Sequence, residues 1–201
     1  MTVTLYPTAD NRIGHDDGVV AANLGASWLT VGETNEATNT PRRVLIQFDL
    51  SGIPAGSLIN SATLRLYQTH EFATNARTMS VYRLLVSWDE MTSTWARRST
   101  GVNWTSNGAF NAADCEQTGI GSRSFSATET VNAWKEFTLD TAAISEIVDG
   151  TFTNNGFHIR MATELNDAHR FYSREAGNSP ELVIDYTSPN AISFQAVIIG
   201  D

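Results

Sequence analysis

The sequence predicts an all-β protein: a two-layer antiparallel jelly-roll-like β-sandwich with one short helix. Short segments alternate apolar and polar side chains, as half-buried strands do, and Gly-, Pro- and Asn-containing loops separate them. One segment shows the clearest helical spacing of apolar residues. The 201 residues include a single cysteine, so a packed core, not an intramolecular disulfide, must hold the sandwich together.

Residues 44–67 organise the chain. The first half of this segment places four apolar side chains on one side of a strand: Val44, Ile46, Phe48 and Leu50. After a Gly/Pro loop over residues 51–56, a second strand does the same with Ala62, Leu64 and Leu66. We expect the two strands to be neighbours in one sheet, with a second sheet covering their apolar face.

The remaining elements follow from local patterns. Residues 2–6 predict a first strand, and residues 10–18 predict a polar loop. Residues 79–86 are apolar on both faces, which indicates a central strand. Residues 107–123 form a long segment of mostly small and polar side chains, which predicts a surface loop that carries Cys115.

The C-terminal half contains the predicted helix. Residues 140–150 place Ile144, Ile147 and Val148 on one face, with Asp140 or Thr141 as the N-cap and Gly150 at the stop position. Short strands are predicted around it, at residues 137–139, 157–161 and 181–186.

Several motifs together resemble one family. The segment from Arg43 to Tyr67, which contains FDLS-x-IP and SATL, resembles DNRLRE-type domains, which belong with the disaggregatase-related repeats and with a family of carbohydrate-binding modules. Further matches are the Trp88–Glu90 and Thr94–Trp95 block, Ser173-Arg174-Glu175 and the closing strand. The resemblance covers about residues 1–187. It implies a jelly-roll-like sandwich with a binding or structural role, and it identifies no ligand.

Charge and motif content exclude several function classes. The formal net charge of −9 repels phosphate backbones and anionic lipids, so we expect no nucleic-acid or membrane partner. No segment approaches the length of an apolar membrane helix. The sequence lacks a nucleophile elbow, an HExxH pair, a CxxC pair and a phosphate-binding loop, and Asp89 and Glu90 point to opposite faces of a strand. We therefore expect a protein that is not an enzyme.

The N-terminus lacks the basic and apolar regions of a secretory signal, which favours a virion protein made in the host cytoplasm. The first hypothesis is a capsid decoration or fibre-associated protein whose partners are other virion proteins or copies of itself. The alternative is an extracellular carbohydrate-binding module of a secreted polysaccharide-degrading enzyme. A surface polysaccharide is a candidate partner under both hypotheses.

Residues 188–201 extend beyond the family-like domain of residues 1–187. The uncharged segment 191–199 predicts another strand, and such strands are normally paired or covered. Its assembly candidates are Ile192, Phe194, Val197 and Ile199. Pairing within the same chain and docking on a neighbouring subunit both remain open.

The candidate site residues fall into two groups. Trp104 and Trp134 lie in polar sequence contexts and are candidates for exposed glycan contacts, while Arg174 and Glu175 either tie down loop backbone as a charge pair or contact glycan. No cofactor is expected to be required, although oxygen ligands in the N-terminal loop predict a structural calcium site as an alternative to a solvated acidic loop: Asp10, Asp16, Asp17 and Asn23.

Overall fold

A computed structural model of the chain describes residues 1–15, 28–33, 41–164 and 167–189, and the structural statements below concern these residues. The elements are β1 (Thr2–Leu5), β2 (Pro7–Gly14), β3 (Trp28–Gly32), β4 (Arg42–Phe48), β5 (Leu58–Glu71), β6 (Arg77–Arg83), β7 (Arg97–Ser99), β8 (Val102–Asn103), β9 (Gly121–Phe125), β10 (Ala133–Thr138), α1 (Thr141–Val148), β11 (Phe157–Met161), β12 (Ala168–Tyr172) and β13 (Glu181–Thr187).

The long strand β5 is the centre of the sheet. Along one edge it pairs first with β13 and then with β12, and along its other edge it pairs with β10. The sheet continues in the order β1-β13-β5-β12-β3-β4-β11-β6-β9, and every pairing is antiparallel among the described strands. A bridge between Gly121 and Leu139 brings β9 back to the end of β10, so the sheet curls round on itself. The all-β prediction is confirmed.

The main core fills the inside of this curled sheet. Side chains alternate along each strand, so β5 sends Ala62, Leu64 and Leu66 inward and leaves Arg65 and Tyr67 outside. Five phenylalanines are almost fully buried and supply much of the apolar volume: Phe48, Phe125, Phe137, Phe157 and Phe171.

Helix α1 packs against the core with the face that its spacing predicts. Ile144 and Ile147 are buried, and Val148 is partly buried against the core. The Asp140 side chain accepts a hydrogen bond from the Ala142 N–H, and Gly150 adopts a φ of 72° just beyond the helix. With eight residues, this helix falls short of what crossing a membrane requires.

A second apolar cluster lies on the outer side of β4, where residues of segment 84–120 cover the sheet. The cluster consists of Ile13, Leu45, Leu84, Trp104, Ala109 and Cys115. Because the sheet is covered on both sides here, both faces of β4 are mostly buried, although the polar Gln47 had suggested one solvated face. Cys115 is buried in this cluster, whereas the sequence predicted an exposed loop.

Two further predictions of local structure were wrong. Strands β4 and β5 are not neighbours, because β4 pairs with β2, β3 and β11. Alternation determines which face of a strand is buried and leaves its partner open, so the loop between them is free to cross from one wall of the sandwich to the other. Residues 10–14 were predicted to be part of a polar loop, but they belong to strand β2. Their side chains are mostly polar, yet their backbone groups pair with β4.

Candidate functional site

Four aromatic side chains lie in a row across the outer face of adjacent strands. Trp134 of β10 is directly opposite Tyr67 of β5, and Tyr172 of β12 is opposite Trp28 of β3. The Tyr67 and Tyr172 rings join the two pairs, with centroids 5.6 Å apart. Strands in a sheet are about 4.8 Å apart, so this aromatic row extends about 14 Å.

The burial of the neighbouring residues in each strand shows that the row faces outward. Lys135, Gln68, Phe171 and Leu29 are all buried, and side chains alternate along a strand. Trp28 is 44% exposed, and the other three rings are half-buried. The row is therefore accessible surface built on paired strands.

The rings of the row are not coplanar. Tyr67 and Tyr172 are nearly parallel, with an interplanar angle of 8°, whereas Trp134 meets Tyr67 edge to face at 83°. The Tyr67 hydroxyl donates to the Asn132 carbonyl oxygen at 2.9 Å. These contacts fix the orientation of the rings before any ligand arrives.

One flank of the row is acidic. Arg65 of β5 lies between Glu136 of β10 and Glu181 of β13 in the sheet register, and it pairs with both carboxylates. The Arg65 guanidinium also lies 4.6 Å from the centroid of the Trp134 ring. Two carboxylates against one cation leave a net negative charge on this side.

The opposite flank is basic. Arg170 of β12 faces His70 of β5, and its guanidinium lies 5.1 Å from the ring centroids of both Trp28 and Phe72. The His70 and Phe72 rings are stacked, with an interplanar angle of 9°. Burial, together with the nearby charges of Arg12 and Arg42, lowers the pKa of Arg170.

A charged network holds the loop that follows Tyr172. Two guanidinium nitrogens of Arg174, Nε and Nη2, donate to Glu90, at 2.7 and 2.8 Å. The Arg174 N–H donates to Asp10, the Asp10 N–H donates to Glu90, and the Ser173 hydroxyl donates to Glu175. The network thus joins β2, the segment after β6 and the β12–β13 loop, and it fixes the end of β12 beside β5.

The carboxylates of this network are close enough to hold a cation. Oxygen atoms of Asp10, Glu90 and Glu175 lie within 4.8 Å of one another, and oxygen donors suit calcium. Arg174 already supplies a positive charge to Glu90 and Glu175. Burial, partly opposed by the hydrogen bond from the Arg174 N–H, raises the pKa of Asp10 to about 7.

The glycan-contact residues expected from the sequence are divided by the structure. Trp134 lies in the aromatic row, while Arg174 and Glu175 lie in the charged network. Trp104 is 4% exposed, and its Nε1 donates to the Thr94 carbonyl oxygen at 2.9 Å. A buried ring offers no face to a sugar, which corrects the expectation of an exposed Trp104.

The other predicted site residues are mostly outside the described ranges. Asp10 is described, but the calcium candidates Asp16, Asp17 and Asn23 are outside, as are the assembly candidates Ile192, Phe194, Val197 and Ile199.

Sequence reasoning missed most of the aromatic row as a set. Tyr67, Tyr172 and Trp28 lie on three different strands, and they are 39 or more positions apart in the chain. The alternation of β5 signals that Tyr67 is outside. No local signal reveals which strand lies beside β5, so the four rings could not be grouped before the topology was known.

A family model described as "Disaggregatase related repeat domain" matches residues 10–183 of the chain. No match was found among curated proteins.

Proposed function

The chain belongs to the family of disaggregatase related repeat domains, and from this premise we propose that it is a carbohydrate-binding domain that holds its ligand without chemical conversion. The ligand binds on the aromatic row of Trp134, Tyr67, Tyr172 and Trp28. The likeness of this family to carbohydrate-binding modules supports the proposal, and so does the chemistry of the row.

The observation that carries the proposal is the alignment of four rings across adjacent strands. The C–H groups of a sugar ring pack against aromatic side chains, while its hydroxyl groups need hydrogen-bonding partners nearby. The protein offers partners for both kinds of group. The rings of the row can pack against the C–H groups, and the polar residues Arg65, Glu136 and His70 beside the rings can bind the hydroxyl groups. A linear row of about 14 Å matches an extended chain of several sugars better than a single sugar.

The angles between the rings of the row favour a single, soluble polysaccharide chain as the ligand. A flat crystalline polysaccharide needs coplanar rings, and the 83° angle between Trp134 and Tyr67 prevents that. The row also lies on an open face, which permits binding along the interior of a long polymer as well as at its ends.

The test is a binding measurement with single aromatic replacements. Neutral and acidic polysaccharides are screened against the intact chain by affinity gel electrophoresis, and the dissociation constant for any ligand found is measured by calorimetry. We expect Trp28→Ala and Trp134→Ala each to weaken binding about tenfold, or about 1.4 kcal/mol, because each removes a ring of the row.

The matched control is Phe110→Ala. Phe110 is 48% exposed, similar to Trp28, but it contacts Arg43 and Arg160 on the other wall of the sandwich. Its replacement should leave affinity unchanged. Thermal unfolding of each variant separates lost binding from lost folding. Failure of every polysaccharide to bind, or equal weakening by the control, would refute the proposed function.

The role on a virion exterior remains a second proposal, motivated by the apolar segment 191–199 of the sequence. In this role the sandwich would display the aromatic row while the C-terminal segment binds a neighbouring subunit. Deletion of residues 190–201 tests it by light scattering. An oligomer that becomes a monomer supports assembly through this segment, and a monomer before and after deletion argues against it.

A further inference from the structure

Two adjoining clefts lie at the end of the sandwich where helix α1 ends. The first has a volume of about 300 Å³ and the second of about 220 Å³. They adjoin because Asn154 lines the first cleft and Asn155 lines the second. The first cleft is lined by one residue from each side of segment 49–51 and Leu50 between them, by the last turn of α1 and by one asparagine: Asp49, Leu50, Ser51, Ile147, Val148 and Asn154.

Both clefts have apolar walls. Leu50, Ile147 and Val148 provide the apolar wall of the first cleft, while Phe152 and Leu85, which is 39% exposed, line the second. An apolar side chain that enters such a cleft leaves water and packs against these walls, and both effects favour binding. The clefts therefore suit an apolar segment that carries little charge.

The described part of the chain ends against the loop that forms one wall of the first cleft. A Cβ added at Gly56 would lie 3.9 Å from the Cβ of Pro189, the last described residue. The Gly56 N–H donates to Oδ1 of Asp149, the C-cap of α1, at 2.7 Å. Pro189 thus lies beside both the loop and the helix end between which the first cleft is formed.

The segment that follows Pro189 is apolar and long enough to reach the cleft. Residues 190–200 contain no charged side chain. Phe194 is five residues beyond Pro189, and Ser51 is five residues before Gly56. Each of these intervals spans at most about 18 Å of chain, and both start from the contact between Gly56 and Pro189. Phe194 can therefore reach the wall of the first cleft.

We propose that residues 191–199 dock in these two clefts of their own chain, with Phe194 in the first cleft beside Ser51. Uncharged apolar segments are normally covered, and the clefts provide the cover. A tethered segment is present at an effective concentration on the order of millimolar, so its own chain is favoured over a second copy as the source. The virion role would then require release of the segment before it binds a neighbouring subunit.

This docking is independent of carbohydrate binding. The aromatic row crosses β5 at Tyr67, whereas the clefts lie near the opposite end of β5, where Leu58 pairs with Thr187. We expect deletion of residues 190–201 to leave the affinity for any polysaccharide unchanged, so the two proposals succeed or fail separately.

Photo-crosslinking identifies what the segment contacts. p-Benzoylphenylalanine takes the place of Phe194 in the intact chain, ultraviolet light couples it to a neighbouring C–H group, and mass spectrometry of the digest locates the attachment. We expect attachment to residues that line the two clefts. Chains with light and heavy nitrogen isotopes are mixed before irradiation, and attachment within one chain joins only peptides of the same label.

The matched control places the same group at Phe72. Phe72 is 36% exposed and follows the end of β5 that is distant from Leu58, so it should give no attachment to the clefts.

Thermal unfolding provides an independent measurement. Deletion of residues 190–201 should lower the melting temperature by about 3 °C, a shift typical of lost packing contacts in a chain of this size. Val148→Ala should lower the melting temperature more in the intact chain than in the shortened one, because only the intact chain loses the contact between Val148 and the segment.

The outcomes decide between the possible sites for the segment. Attachment between chains of different label would overturn the inference and support docking on a neighbouring copy. Attachment to the edge strand β1 would overturn it in favour of strand pairing. Equal attachment to the clefts from positions 194 and 72, or an unchanged melting temperature after the deletion, would also overturn it.

Discussion

Two histidines are buried on opposite sides of the sheet. His158 of β11 lies on the outer side, beneath segment 84–120, and His169 of β12 lies on the inner side beside Gln68 and Phe125. Burial lowers the pKa of both imidazoles, well below the ordinary value for His158 and to about 4 for His169. Each is therefore neutral near pH 7, and protonation of either one opposes folding.

His169 should make the protein sensitive to acid. Its pKa is 6.5 in an unfolded chain and about 4 in the folded one, so between these values the unfolded chain binds a proton that the folded chain excludes. Its contribution to stability is complete above pH 6.5 and is lost as the pH falls toward 4, a change of about 3 kcal/mol. We expect His169→Gln to lose less stability than the original chain over this interval.

The measurement is chemical denaturation at several pH values. His158 is present in both proteins, so the difference between their pH profiles isolates His169. Identical profiles would show that His169 does not titrate in this way.

At the scale of elements, the aromatic row depends on how β12 and β13 share one edge of β5. The chain leaves that edge after Tyr172 and returns at Glu181, and the register shifts between Arg170 and Phe171. The charged network around Arg174 holds the excursion. The order of rings in the row is therefore a consequence of strand pairing and loop anchoring.

The end of β3, beside the start of β12, should tolerate no side chain at Gly32. Gly32 has a φ of +97°, and a Cβ there would lie 2.2 Å from the Asp167 carbonyl oxygen. We expect Gly32→Ala to lower the free energy of unfolding by about 3 kcal/mol, because it adds backbone strain and a clash with rigid main chain.

Gly52→Ala is the control, since a Cβ at Gly52 meets nothing within 4 Å. It should change the free energy of unfolding by less than about 0.5 kcal/mol. Equal effects of the two substitutions in denaturant titrations would contradict the close approach of Gly32 to the Asp167 main chain.

At the scale of the whole molecule, one core supports both walls of the sandwich. Strand β5 contributes to it over most of its length, and helix α1 and five phenylalanines complete it. A loss of core packing at β5 should consequently weaken the entire fold.

Leu64→Ala tests this dependence. Leu64 is fully buried at the point where β5 pairs with both β10 and β13. We expect the free energy of unfolding to fall by about 3 kcal/mol, from lost burial and the cavity that remains.

Leu58→Ala provides the comparison on the same strand, because Leu58 is 59% exposed and should cost about 0.5 kcal/mol or less. Both values are measured by denaturant titration followed through tryptophan fluorescence. A similar cost for the two leucines would show that β5 is not the centre of the core.

The sequence by itself determined the all-β class, the position of α1 in the chain, and the inward faces of β4 and β5, because these depend on side-chain periodicity. Tertiary structure alone decided that β4 and β5 separate, that residues 10–14 form β2, and that Trp104 and Cys115 are covered by segment 84–120. It also decided that Trp134, Tyr67, Tyr172 and Trp28 lie side by side with Arg170. The physical reason is that alternation fixes the face of a strand, whereas pairing between distant strands depends on the packing of the whole chain.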